Sequence, residues 1–368
     1  SLDNGQHVLI GAYRELLGLM KRVGVPHEAL LRTPLELRYA GGFALRALAL
    51  PAPLGLLGGL LGARGVALGE RLGAARFVLA LRRGGFRAGA HETVQELLRA
   101  HRQDGRMGRF LWRPLCVSAL NTPPERAAAG AFLAVLRDAL DGAAGASDLL
   151  LPRVDLSRLF PEPAAAWLAA HGGELRLNAR VRDLEALRRE HAAVVIAVGP
   201  HQLAALAPGI APDYEYQPIY TVYLQYPAQV RLAQPMLGLD AGLVQWVFDR
   251  GALLGERGRL ACVISAQGEH ERMEHDPLGA TCARELAAAL PELPAPLFAR
   301  VIAEKPNRKG MLFAGTGNSL GYSWDDCQNG QPWQEGLPHA AVSWIVVQKQ
   351  AHDVVVATYG RGFYIMHD

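Results

Sequence analysis

The sequence predicts a mixed α/β (α+β) fold, and three patterns along the chain support this prediction. Apolar residues recur at helical spacing over most of residues 21–140. The uncharged, β-branched run Ala192–Val198 (AAVVIAV) is typical of a buried parallel strand. Several alternating segments between residues 219 and 303 are close enough in sequence to form an antiparallel sheet. The chain therefore combines a helical part, a parallel-strand part and an antiparallel sheet.

The helical part is predicted from apolar spacing and from capping residues. Tyr13–Val23 and Leu68–Leu81 carry apolar residues at the spacing of amphipathic helices. Thr93 is a suitable cap for a helix that ends at Ala100. Thr122 is the predicted N-cap of a longer helix through AAAGAFLAVLRDAL, because the prolines that follow it suit a first turn.

After residue 150 the pattern alternates between helix and strand. A helix is predicted at Pro161–His171, ended by two glycines. Glu174–Leu177 has the alternation of a strand, and Ala192–Val198 is interpreted as a buried strand that ends in a turn. A helix at Asp276–Leu290 is also predicted. The antiparallel strands are expected at Ile219–Tyr226, Leu243–Phe248, Leu260–Ala266 and Leu297–Ala303.

One apolar stretch needs its own interpretation. Ala47–Ala63 contains no charged residue and is flanked by Arg46 and Arg64. Its length is close to the roughly 18 residues that suggest a membrane span, but prolines and glycines interrupt it. A buried helical hairpin and an apolar surface that dips into a bilayer both explain it, and we favour either of these over a span.

Composition excludes several classes of function. The 368 residues are 50% hydrophobic and carry a formal charge of +3, with basic and acidic residues interspersed. A nucleic-acid partner is not expected, because such proteins concentrate basic residues on one face. The four scattered cysteines, Cys116, Cys262, Cys282 and Cys327, form no disulfide or zinc pattern, so no metal is expected and a cytoplasmic location fits best.

Four segments of residues 1 to about 305 resemble the hydroxysqualene dehydroxylases, also called squalene-associated FAD-dependent desaturases. The segments are LDNGQHVLIGAYRE (2–15), LWRPLCVSALNTPPERA (111–127), ASDLLLPRVDLSRLFPEPAAAWLAAHGGELRLNARV (146–181) and AVVIAVGPHQLAALAP (193–208). This family lies within the amine oxidase and phytoene desaturase group.

The resemblance implies a two-domain FAD-dependent oxidoreductase of squalene or hopanoid biosynthesis. Its fold would be a Rossmann-like FAD-binding part plus a helical and antiparallel-sheet substrate domain. We accordingly expect a remnant FAD-binding domain at 1–20 and 141–210 and a substrate domain at 21–140 and 211–305. The expected reaction removes the hydroxyl of hydroxysqualene and gives squalene, an isoprenoid lipid that brings the enzyme into peripheral contact with the cytoplasmic membrane. The oligomeric state is not predicted.

The resemblance also implies roles for particular residues. Asp3, Gly5 and Gln6 would lie against the flavin ring, and His7 would orient or protonate the leaving hydroxyl. An ordinary turn explains the same Asp-Asn-Gly sequence without any flavin. The resemblance further implies FAD contacts for three residues of the parallel-strand part, namely Val181, Gly199 and Pro200.

Part of the family pattern is not found in this chain. The family's N-terminal GxGxxG turn, whose backbone amides hold the FAD pyrophosphate, does not precede Ser1. We therefore expect a truncated chain that binds FAD weakly or not at all and is inactive alone. Losing that segment would also leave the Ala192–Val198 strand without a partner.

Residues 306–368 follow a different pattern, with short strands, turns and no helix. They resemble a blade of a sortilin-like or BNR-repeat β-propeller, although Cys327 stands where the family's Asp-box has glycine. We interpret this short all-β C-terminal segment as a fusion, either natural or an assembly artefact.

Two other functions remain open at this point. A carotenoid (phytoene) desaturase or an amine oxidase would share the architecture, although only 7% of residues are aromatic and an amine oxidase favours an aromatic cage. A non-enzymatic propeller-type interaction module would involve the tail alone.

Overall fold

The computed structural model describes residues 6–50, 53–140, 144–199, 202–203, 206–210 and 215–304, and six strand segments beyond residue 311. The chain forms two compact units, Ser1–Lys305 and Pro306–Asp368. In the first unit the described helices are α1 (Arg14–Arg22), α2 (Leu54–Leu61), α3 (Leu68–Arg83), α4 (Val94–Ala100), α5 (Arg113–Leu120), α6 (Ala129–Leu140), α7 (Leu156–Leu159), α8 (Pro161–Ala170), α9 (Leu184–Glu190), α10 (Arg250–Leu254) and α11 (His275–Ala289). Its described strands are β1 (Leu9–Ile10), β2 (Leu30–Thr33), β3 (Glu36–Arg38), β4 (Ala44–Arg46), β5 (Leu149–Pro152), β6 (Ile219–Gln225), β7 (Met236–Gly238), β8 (Trp246–Asp249), β9 (Arg259–Ser265) and β10 (Phe298–Glu304). Short 3₁₀ turns lie at His27–Ala29 and Glu269–Arg272, and a π-helical turn at Gly108–Trp112.

A five-stranded antiparallel sheet organises the first unit, with strand order β10-β6-β9-β8-β7. Successive side chains of a strand point to opposite faces, so this sheet contributes to two cores. Val222 and Cys262 pack under α11 on one face. Tyr223 and Ala261 face the larger core, which the helices around α3 to α6 complete. The predicted antiparallel sheet is therefore confirmed, and it is buried on both sides.

Local sequence signals explain several of the helices. Thr93 caps α4 through a reciprocal capping box: its Oγ1 accepts from the amide of Glu96 at 3.2 Å, and the Glu96 carboxylate accepts from the amide of Thr93 at 2.9 Å. The predicted helices near 13–23, 68–81, 161–171 and 276–290 are all present. The mixed helix and sheet class is confirmed.

The helix predicted after Thr122 begins later than expected, at Ala129. Asn121 adopts a left-handed backbone with φ of 44° and ends α5. The hydroxyl of Thr122 then donates to the carbonyl of Leu120 at 2.8 Å. Thr122 therefore closes the previous helix instead of capping the next one.

Two predicted strands, Glu174–Leu177 and Ala192–Val198, are wrong in the described structure. Both segments lack strand pairing, and their apolar side chains face solvent, with Leu177 75% and Val195 89% exposed. A single strand leaves its backbone amides and carbonyls unpaired, so it is not stable without a neighbour. No described strand of this chain lies beside either segment.

The second unit contains two three-stranded antiparallel sheets in its described residues. One has the order β11-β12-β13 and the other β14-β15-β16. The described residues of this segment all lie in strands, whereas its relation to a propeller blade stays a prediction. The strands are β11 (Leu312–Gly315), β12 (Leu320–Ser323), β13 (Gly330–Pro332), β14 (Val342–Val347), β15 (Val354–Thr358) and β16 (Gly362–Met366).

Candidate functional site

The predicted flavin-side residues lie at the start of the described chain. Gln6 is half-buried, and His7 is exposed beside it, just before β1. Asp3 and Gly5 lie outside the described residues. β1 pairs with β5, so this segment is held against the small sheet β1-β5-β2.

Gln6 contacts a fully buried arginine at the end of the large sheet. Arg250 follows β8 directly and begins α10, and none of its side chain is exposed. One terminal nitrogen of Arg250 lies 3.4 Å from the side-chain oxygen of Gln6. Asp249 caps α10 by accepting from the amide of Ala252 at 2.9 Å, which fixes the direction of the helix. The structure therefore connects one predicted site residue to the main sheet.

The charge of Arg250 is balanced by Glu256 in a bidentate ion pair. Arg250 donates from Nε and Nη2 to the two carboxylate oxygens at 2.9 and 2.7 Å, and Arg259 donates a third bond at 2.9 Å. The Arg250 guanidinium also lies 5.2 Å from the ring centre of Tyr223. Burial raises the pKa of Glu256. The hydrogen bonds and charges of Arg250 and then of Arg259 lower it by more than burial raises it, so the pKa lies below the usual range. This carboxylate is ionised at neutral pH and acts as a structural anchor.

Val181 and Gly199, for which the resemblance also implies FAD contacts, lie elsewhere in the described structure. Val181 is 39% exposed and lies in an irregular segment before α9. The amide of Gly199 donates to the side-chain oxygen of Gln202 at 3.2 Å, and its carbonyl accepts from the amide of Gln202 at 2.9 Å. Pro200 lies outside the described residues. The described contacts of Gly199 are thus local.

An apolar cavity of about 320 Å³ lies between the α2 region and the end of α6. Leu48, Leu50 and Leu56 line one side, and Ala139 and Leu140 line the other. One end is polar: Asp148 forms a 2.7 Å ion pair with Arg32. This volume lies at the lower end of the range for ligand pockets, so the cavity would hold one section of a long hydrocarbon.

A second cavity of about 210 Å³ lies beside β8 and the π-helical turn. Its lining includes Tyr39, Arg113 and Trp246. The hydroxyl of Tyr39 and Nε of Arg113 are buried without a hydrogen-bond partner among the described residues. Burial, together with the nearby Asp240 carboxylate, raises the pKa of Tyr39, so its hydroxyl stays protonated. Both groups can donate to an oxygen of a small polar ligand or of water.

Buried cysteines provide no reactive thiolate. Cys116, Cys262 and Cys282 are free and buried. Burial raises the pKa of Cys116 and of Cys282 to about 12, with smaller contributions from Glu125 and Glu285 respectively. Among the described residues, no group of three or more His, Cys, Asp or Glu side chains could hold a metal ion.

The predicted FAD-contact residues that the structure describes lie away from the two cavities. Neither cavity is lined by Gln6, His7, Val181 or Gly199. The segment predicted as a parallel strand is exposed and unpaired, so it provides no ordered sheet edge for a dinucleotide. These two cavities are therefore not formed by the described FAD-contact residues, and the roles implied for those residues stay predictions.

Sequence reasoning missed the buried Arg250 cluster and the Tyr39 cavity. A local signal for the first did exist, because Arg250, Glu256 and Arg259 follow an apolar strand within ten residues. No local signal exists for the second, since Tyr39, Arg113 and Trp246 come from three distant segments.

Comparison with known proteins identifies a common architecture. A family model described as flavin-containing amine oxidoreductase matches residues 1–303. Among solved structures, a triple mutant of putrescine oxidase aligns over 82% of this chain and 73% of its own, with TM-score 0.54 and 13% identity. A candidate protoporphyrinogen oxidase from Exiguobacterium sp. 255-15 aligns over 82% and 75%, with TM-score 0.52 and 13% identity. These structural likenesses show the fold.

Sequence relatives are more specific. Hydroxysqualene dehydroxylase of Sinorhizobium fredii is 31% identical over 176 residues, which are 44% of this chain and 41% of the relative. The enzyme of the same name from Rhodopseudomonas palustris is 31% identical over 152 residues, 37% of this chain and 36% of the relative. The chain thus spans about two fifths of the length of the curated relatives it matches.

Proposed function

Because the chain belongs to the flavin-containing amine oxidoreductase family, we propose that it is a FAD-dependent oxidoreductase acting on an isoprenoid alcohol. The specific reaction proposed is the conversion of hydroxysqualene to squalene. The observation that carries this proposal is the set of matched relatives, which share the name hydroxysqualene dehydroxylase. In this reaction two electrons and two protons convert the C–OH bond into C–H and release water, and FAD is the electron carrier that the family implies.

The apolar cavity is the proposed binding place for a section of the hydrocarbon. Leu56 is 6% and Leu140 4% exposed, so the cavity wall is formed by well-packed apolar groups. Such a wall excludes water and binds an isoprenoid by removing its apolar surface from solvent. The substrate itself is supplied from a membrane, and the enzyme is proposed to be cytoplasmic with peripheral membrane contact.

Residues near the start of the chain are proposed to serve the cofactor and the leaving hydroxyl. Arg250 donates to the side-chain oxygen of Gln6 at 3.4 Å, and this contact is proposed to position the segment that carries His7. His7 is proposed as the proton donor to the leaving hydroxyl. FAD contacts are also proposed for Asp3, Gly5, Gln6, Val181, Gly199 and Pro200, and the match to the flavin-containing amine oxidoreductase family supports them.

The first experiment measures FAD binding to the purified chain, by flavin absorbance after incubation with FAD and desalting. Stoichiometric flavin would support the proposal and would be followed by a hydroxysqualene turnover assay with squalene as the product. Complete loss of flavin would contradict the proposal that this chain carries out the reaction on its own, and would agree with the weak FAD binding expected from the sequence. Phytoene and a diamine in the same assay distinguish the carotenoid desaturase and amine oxidase alternatives.

A matched pair of variants then tests the cavity. Ala139→Phe adds a ring into the cavity, whereas Ala131→Phe adds the same ring to an exposed position of α6. We expect Ala139→Phe to raise KM for hydroxysqualene at least about tenfold, which corresponds to about 1.4 kcal/mol of binding. Equal KM values for both variants would exclude this cavity as the substrate site.

A further inference from the structure

The exposed leucines of the first unit are concentrated around α2. Six of them lie between residues 48 and 72, and four lie on or beside α2 itself: Leu48, Leu50, Leu54 and Leu61 are each 43–57% exposed. We call these four residues the leucine surface. Single exposed leucines are common on the surfaces of soluble proteins, but a continuous patch of exposed leucines marks an interaction site.

Close packing of glycines makes this surface continuous. A side-chain carbon at Gly58 would lie 2.4 Å from Cδ1 of Leu48, so the Leu48 side chain covers this glycine. Gly58 is four residues after Leu54 and three before Leu61, on the same side of the helix. The carbonyl of Leu50 would lie 2.8 Å from a side-chain carbon at Gly55. Leu48 and Leu50 therefore lie directly against the helix whose leucines face solvent.

The charges around the leucine surface favour an anionic partner. No charged residue occurs between Arg46 and Arg64. The carbonyl of Arg46 packs against Gly59, and Arg71 donates to the carbonyl of Leu61 at 3.3 Å, which places basic residues near the C-terminal end of α2. The neighbouring basic residues with described contacts in this region are Arg32, Arg38, Arg46, Arg64, Arg71 and Arg106, and the acidic ones are Glu36, Glu70 and Asp148, so basic residues are in excess.

The apolar cavity opens at the same place. Leu48 and Leu50 line the cavity and are also half exposed, so they form its mouth. In the described residues, no helix is long and apolar enough to cross a bilayer. A short helix with exposed leucines and flanking arginines has the features of a segment that lies in the headgroup region of a membrane.

We propose that the leucine surface docks on a bilayer containing anionic lipid and that the apolar cavity opens directly into that bilayer. A hydrophobic ligand then moves from the membrane into the cavity without crossing water. The proposed partner is a lipid surface, because the arginines beside α2 lie next to the cavity mouth and would contact anionic headgroups. Docking of a second copy of the chain would not require these arginines. The docking itself does not depend on which isoprenoid is the substrate.

The test is flotation of the full chain with two kinds of vesicle. One contains phosphatidylcholine alone, and the other also contains roughly 30% phosphatidylglycerol as the anionic lipid. We expect binding to anionic vesicles. The double variant Leu54→Asp with Leu61→Asp should weaken binding to anionic vesicles about 25-fold, because the loss of each half-exposed leucine weakens binding roughly fivefold. The control, Leu168→Asp with Leu297→Asp, changes two leucines of similar exposure elsewhere and should bind like the unmodified chain.

A second pair of variants separates charge from apolar contact. Arg46→Gln with Arg64→Gln should remove the preference for anionic vesicles and leave weak binding to neutral ones. Circular dichroism establishes that each variant is folded.

Three results would overturn the proposal: no vesicle binding by the unmodified chain, equal binding by the two leucine pairs, or a concentration-dependent dimer that the Leu54/Leu61 pair abolishes. None of these measurements requires FAD or hydroxysqualene. Loss of turnover with intact vesicle binding would therefore contradict the proposed reaction alone.

Discussion

The ion pair between Arg250 and Glu256 yields a prediction whose size follows from burial. Glu256→Ala removes two hydrogen bonds, at 2.7 and 2.9 Å, from a guanidinium with no exposed surface. What remains near Arg250 includes the Gln6 oxygen at 3.4 Å and the Tyr223 ring, and neither carries a negative charge. Removing one partner of a buried ion pair typically costs about 3–5 kcal/mol. We expect the free energy of unfolding to fall by that amount.

The chain contains a control with the same geometry at the surface. Arg176 donates to Glu174 from Nε and Nη2 at 2.7 and 2.9 Å, but both side chains are largely exposed. Glu174→Ala should therefore cause no measurable change, because solvent and salt screen such a pair. The two arginine–glutamate pairs share their hydrogen-bond geometry and differ in burial, and Glu256 additionally accepts the bond from Arg259.

Urea unfolding, followed by circular dichroism, measures both variants. A loss of about 3–5 kcal/mol corresponds to a shift in the urea midpoint of roughly 1–5 M, for a urea dependence of about 1–3 kcal/mol per molar. The difference between the unmodified chain and Glu256→Ala should shrink in acid. The folded pKa of Glu256 is depressed, so its stabilisation is present above the unfolded pKa and is lost as the pH falls through the folded value. A loss below about 1 kcal/mol at neutral pH, or equal effects of the two variants, would refute the reasoning.

Three further predictions concern local structure and the second unit. Thr93→Ala removes the α4 cap and should lower stability by about 1 kcal/mol, seen as a lower Tm. Gly108→Ala should destabilise the chain, because the new methyl would lie 2.0 Å from the carbonyl oxygen of Gln103. Gly130→Ala, at an exposed position of α6, meets nothing within 4 Å and should stabilise the chain by about 0.5–1 kcal/mol in the same melting experiment. Deleting residues 306–368 should leave vesicle flotation unchanged, since the leucine surface lies in the first unit, and loss of flotation by a folded deletion variant would contradict that assignment.

The elements that were predicted correctly have signals contained within about fifteen residues. The capping box of α4 and the amphipathic spacing of α1, α3 and α11 are local, and helices satisfy their backbone hydrogen bonds internally. The strands β6, β8 and β9 were recognised because each alternates within a segment where neighbours are close in sequence. Ala192–Val198 was mispredicted because a strand depends on a partner, which its own residues do not specify.

The sequence by itself determined the family, the mixed fold class and the uncharged segment between Arg46 and Arg64. These properties depend on residue order and composition, and so they can be read along the chain. Tertiary structure alone decided which leucines face solvent, that a cavity opens beside them, and that Arg250 is fully buried against Glu256 and Gln6. Burial and pairing depend on contacts between segments up to 244 residues apart, and no local pattern specifies the energy of such contacts.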